Sequence, residues 1–60
     1  MRVFEVYKDN EYKLTLSANG MYTLEEFENG KWYASATGSH SYILIVLREY
    51  KLDRIISAIT

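Results

Sequence analysis

The sequence contains no cysteine, no proline and only three glycines in 60 residues. Without cysteine there is neither a disulfide framework nor a thiolate zinc site to hold a small fold together. Without proline or low-complexity stretches, nothing reads as a linker or a disordered tail. Long apolar runs are also missing. The longest, residues 42–47, is far too short to span a membrane. Met1-Arg2-Val3-Phe4-Glu5 puts charges ahead of any apolar run, unlike a secretory signal, so a cytoplasmic location with no membrane contact is expected.

Charge of one sign is scarce too. The net charge is −1. Residues 1–30 carry three cations against six anions, and residues 31–60 carry four against two. That polarity is too mild to mark a dedicated nucleic-acid binder or a mimic of one.

What is present is apolar and aromatic. Hydrophobic residues make up 48%, including one Trp, six Tyr and two Phe. Sixty residues are near the lower limit for a chain that folds alone, so one domain over residues 1–60 is expected.

Three turn doublets recur every ten residues: Asp9-Asn10, Asn19-Gly20 and Asn29-Gly30, with a fainter fourth at Ser39-His40. Asn-Gly accepts two successive positive φ values, as a two-residue type I′ hairpin turn requires. The expected fold is therefore α+β, mainly β. It is an antiparallel up-and-down meander of strands at about 2–8, 11–17, 21–28, 31–37 and 42–47, followed by one helix at about 49–59. The run 42–47 is rich in β-branched residues and has no polar face, which favours a fifth strand. The rival is four strands and one long helix from Ser39 or Ser41 to Ala58, capped by serine. Leu52, Ile55, Ile56 and Ile59 follow helical spacing, with Arg48, Lys51 and Arg54 on a polar side.

If all the turns have two residues, alternation sorts the side chains by face. Val3, Tyr7, Tyr12, Leu14, Leu16, Ala18, Met21, Phe27, Trp32, Ala34 and Ala36 then share the core face. The other face collects Phe4, Val6, Tyr22, Leu24 and Tyr33, joined by Tyr42, Leu44 and Val46. That is more apolar surface than a solvated face needs.

Chemistry is thinly represented, and no catalytic, cofactor or metal site is expected. His40 is the only histidine, and between two serines at a turn it reads as a turn residue. Glu5 and Glu25 fall in one row about two strand spacings apart, but a chain this short offers them no sugar cleft. Asp9-Asn10-Glu11 and the acidic residues 25–28 lack calcium-loop spacing.

The expected function is a small non-enzymatic protein-binding module. A phage or mobile-element inhibitor that occupies a surface of a larger host protein would suit this size. The candidate partner-binding residues are Phe4, Val6, Tyr22, Leu24, Tyr33 and Tyr42, and the partner is another protein or a second copy of the chain. A single-stranded nucleic-acid-binding sheet is the alternative, with Phe4, Tyr22 and Tyr33 stacking bases among Arg2, Lys8, Lys13 and Lys31.

Overall fold

The computed structural model describes residues 2–60. Four strands form one antiparallel sheet in sequential order: β1 (Val3–Lys8), β2 (Tyr12–Ser17), β3 (Tyr22–Glu28) and β4 (Lys31–Gly38). Two helices follow, α1 (His40–Glu49) and α2 (Asp53–Ile59). The meander is the expected one, but the fifth strand and the single helix are not.

Residues 42–47 are helical because the chain leaves β4 straight into a capped helix. The Ser39 hydroxyl accepts the Tyr42 N–H at 3.3 Å, and Ile43 and Leu47, four apart, are fully buried. Burial of that pair against the sheet outweighs the strand preference of the β-branched residues. The long helix fails as well, because the chain turns at Tyr50–Leu52. Lys51 takes φ 58, its N–H bonds the Arg48 carbonyl at 3.1 Å, and the Leu52 N–H bonds the Leu47 carbonyl at 2.9 Å. These two bonds are a Schellman cap with lysine where glycine usually sits. Lys51→Gly should therefore raise the melting temperature by about 2–4 °C, relief of left-handed strain exceeding the added freedom of the unfolded chain. Lys51→Val should lower it, and a thermal melt followed by circular dichroism reads both.

The helices run antiparallel over one face of the sheet. His40 Nε2–H donates to the Ile59 carbonyl at 2.9 Å, and the His40 ring lies 5.7 Å from that of Tyr22, at the end of the sheet where α1 begins. At the other end, where α2 begins, Arg54 reaches Tyr7 and Asp9. Accordingly, α1 packs on β3 and β4, and α2 packs on β1. His40 is thus the first residue of α1 rather than a turn tip.

Only one of the three doublets makes the expected turn. Asn29 and Gly30 have φ 51 and 79, and Glu28 pairs with Lys31. The chain instead closes one residue late at Asp9-Asn10. Asp9 Oδ1 accepts the N–H groups of both Glu11 and Tyr12 at 2.7 Å, and Asp9 N–H donates to the Tyr12 carbonyl at 2.9 Å. The carboxylate substitutes for a backbone acceptor, so no positive φ is needed there. The Asn19-Gly20 loop has three residues: Ser17 N–H bonds the Met21 carbonyl at 2.9 Å, and Gly20 takes φ 86.

The three-residue loop at Asn19-Gly20 decides the faces, because the Asp9 turn shifts the β1–β2 pairing by two residues and so leaves them as they were. Leu14 pairs with Leu24, where a two-residue turn at Asn19-Gly20 would set it opposite Glu25. A one-residue slip sends each side chain to the opposite face. Leu24 and Tyr22 thereby join the covered face, and Phe27 and Trp32 leave it. Irregularities at Val6 in β1 and Ser35 in β4 keep Tyr7 and Ala36 against the helices. The buried core is Leu14, Leu24, Ile43, Leu47, Leu52 and Ile55.

Candidate functional site

Two surfaces remain after the core is satisfied. The first lies along α1 and the free edge of β4. Tyr42, Ile45, Val46, Glu49 and Tyr50 recur at helical spacing, so they form one stripe. The Tyr42 ring lies directly over Gly38, where even a Cβ atom would come within 2.6 Å of it, and this places the stripe on the β4 side. Tyr33, Tyr42, Ile45 and Tyr50 are each about half exposed, between 48% and 53%. Beside them β4 is an edge strand whose residues 32–38 carry no charge.

The second surface is the face of the sheet turned away from the helices. Alternation from the buried Leu14 and Leu24 puts Lys13, Thr15, Thr23, Glu25 and Phe27 there, with Trp32 opposite Phe27. The Phe27 and Trp32 rings are 5.1 Å apart at 59°. Lys13 Nζ stands 4.7 Å from the Trp32 ring centroid, and Lys8 Nζ stands 5.9 Å from it. Lys13 also meets Glu25 at 3.9 Å. Thr15, Thr23 and Thr37 face one another across three strands, with 3.1 Å between the Thr23 and Thr37 hydroxyl oxygens.

The six expected partner-binding residues do not form one patch. Leu24 is fully buried between Leu14 and Ala36. Tyr22 is half-buried under His40. Val6 is the extra residue of the β1 irregularity, and Phe4 lies exposed near the far end of that strand. Tyr33 and Tyr42 alone fall on the α1–β4 side. Ile45 and Tyr50 escaped sequence reasoning because their stripe exists only if residues 42–47 are helical. The Phe27–Trp32 pairing was legible from Asn29-Gly30, but its face was not.

The polar groups at the start of α2 build a tie to the sheet. Arg54 Nε donates to Asp9 Oδ2 at 2.8 Å and to the Tyr7 hydroxyl at 2.9 Å, and its Nη2 stands 3.6 Å from Glu11 Oε1. The Tyr7 hydroxyl donates to Asp9 Oδ2 at 2.5 Å. That hydroxyl, then the N–H groups of Tyr12 and Glu11 and the guanidinium, hold the Asp9 carboxyl far below the usual carboxylate range against an opposing contribution from burial. The bond to Asp9 in turn raises the Tyr7 phenol and the Arg54 guanidinium. Burial raises the Tyr12 phenol. Of the expected basic stripe, Arg54 is therefore committed to acidic partners on the sheet.

Glu5 and Glu25 are not brought together, since Glu5 stands opposite Thr15 and Glu25 opposite Lys13. Among the described residues no cavity opens, and no group of three or more His, Asp or Glu side chains is placed to hold a metal. No helix among them is long and apolar enough to cross a membrane. Comparison with protein-family models, curated proteins and solved structures finds no match to this chain.

Proposed function

We propose that the chain is a small non-enzymatic protein-binding module that meets another protein along the α1–β4 side. The observation that carries this reading is the concentration of Tyr33, Tyr42, Ile45 and Tyr50, all about half exposed, beside an uncovered strand edge. Tyrosine supplies large contact area with few torsions to freeze, which suits interfaces. An open edge offers backbone donors and acceptors to a partner strand. An inhibitor that occupies a surface of a larger host protein is one instance of this class.

Its test is quantitative capture of a partner from the native host, followed by titration. The double variant Tyr33→Ser/Tyr42→Ser should weaken the captured partner by about tenfold or more, the loss usual for truncated interface tyrosines. Lys8→Gln, on the opposite face, should leave it unchanged. A partner that binds all three forms equally would overturn the reading. Sedimentation at micromolar concentration separates a heterologous partner from a second copy of the chain.

A further inference from the structure

We propose that the bare face of the sheet binds single-stranded nucleic acid, with bases on Trp32 and Phe27 and phosphates on Lys8 and Lys13. The proposal is independent of the protein-binding reading, because α1 and the Tyr33–Tyr42 side lie across the sheet from it. The aromatic set also differs from the Phe4, Tyr22 and Tyr33 group that two-residue turns would have produced.

Four features converge on this face. It is the only face of the sheet that no described element covers, both helices being packed on the other. It carries an aromatic pair, tilted at 59° with Phe27 45% exposed, which offers flat apolar surface to a planar ligand. Two ammonium groups stand within 5.9 Å of the indole centroid. A row of hydroxyls, Thr15, Thr23 and Thr37, continues the same face, one step along the strands from Lys13 and two from Phe27, toward the sugars and base edges of a longer strand.

Charge and shape together select the ligand class. Stacking on aromatics is tolerant of sequence, because every base has a π-face, and it requires that face to be unpaired. An exposed cation–π contact is weak, so a base can take the indole face and leave the ammonium to the adjoining phosphate. Glu25 is held by Lys13 at 3.9 Å, and Glu5 stands a row away opposite Thr15. Only one or two phosphates are thus neutralised. Binding should therefore be modest and its salt dependence shallow, with a log–log slope of about −1 from roughly −0.7 per phosphate on a single strand.

The test uses fluorescein-labelled dT8 followed by anisotropy at low salt, with a blunt duplex of the same length and inorganic polyphosphate as comparison ligands. The expected result is saturable binding of dT8 that neither comparison ligand reproduces. Trp32→Ala should lose about tenfold or more, and Trp32→Phe should retain most of the affinity. Lys8→Gln should lower the salt slope by about 0.7 without unfolding the chain. If Trp32→Ala proves unfolded by circular dichroism, Trp32→Phe and Lys8→Gln carry the decision. Binding of polyphosphate as tight as dT8, equal binding of the duplex, no binding of dT8, or a salt slope that Lys8→Gln leaves unchanged would each overturn the proposal.

Discussion

Leu24→Ala is expected to cost about 2–5 kcal/mol, the range for emptying a fully buried leucine site. At about 0.05–0.15 kcal/mol per residue, a chain this short has roughly 3–9 kcal/mol of stability in all. The variant should therefore be largely unfolded near body temperature. Leu24 is 0% exposed and lies between Leu14 and Ala36, under the buried Ile43 and Leu47 of α1. Phe4 makes an instructive contrast, because two-residue turns would put it on the same face as Leu24, yet it is 55% exposed. Phe4→Ala should cost no more than about 1 kcal/mol. Urea titrations of the two variants by far-ultraviolet circular dichroism decide the matter. Equal losses would mean that Leu14 and Leu24 are not partners.

Acid should unfold the chain partly through Asp9. Its carboxyl ionises far below the ordinary value of 3.8 in the folded state, chiefly because the Tyr7 hydroxyl donates to it. The unfolded chain consequently binds a proton at a pH where the folded chain does not. This contribution is complete above the unfolded value, declines as pH falls through it, and disappears only once the folded carboxyl is protonated too. Wild type minus Asp9→Asn is the informative difference, since the other carboxylates cancel. That difference should be largest near neutrality and shrink steadily between about pH 5 and pH 2. Asp9→Ala also removes the acceptor for the Glu11 and Tyr12 N–H groups. It should cost about 1–2 kcal/mol at neutral pH, the ionic part being discounted because the site is open to water. A difference between wild type and Asp9→Asn that does not change with pH would show that the Tyr7–Asp9–Arg54 tie contributes nothing to folding.

The sequence announces the meander because glycine and asparagine mark where strands end, a local property. It hides the faces because they depend on how many residues each turn consumes, and that is settled by bonds no doublet advertises. The Asp9 carboxylate braces its turn with two backbone N–H groups and so moves the closure by one residue. The Asn19-Gly20 loop takes a third residue, so Leu14 meets Leu24 and the faces built on two-residue turns change over beyond β2. The helix at 42–47 is hidden for a different reason. Its amphipathic pattern is masked because the stripe it leaves uncovered, Tyr42 and Ile45, is as apolar as the buried one, Ile43 and Leu47. Apolar residues on both sides of an element look like a buried strand unless something else claims one side. Tyr33 and Tyr42 were legible as surface aromatics. Phe27 and Trp32 were legible as a pair, but not as neighbours of Lys8 and Lys13.

The ten-residue spacing of Asp9, Asn19 and Asn29 is therefore not a repeat unit. One turn is braced by a side chain, the next spends three residues and a left-handed glycine, and the third is a two-residue mirror turn. Two of the four strands carry an extra residue. Equal decades arise from unequal parts that happen to sum alike. Duplicating, deleting or exchanging one decade would not yield a longer, shorter or shuffled sheet, because each hairpin's count is matched to its neighbour's. The domain is an indivisible object whose sequence only imitates a modular one.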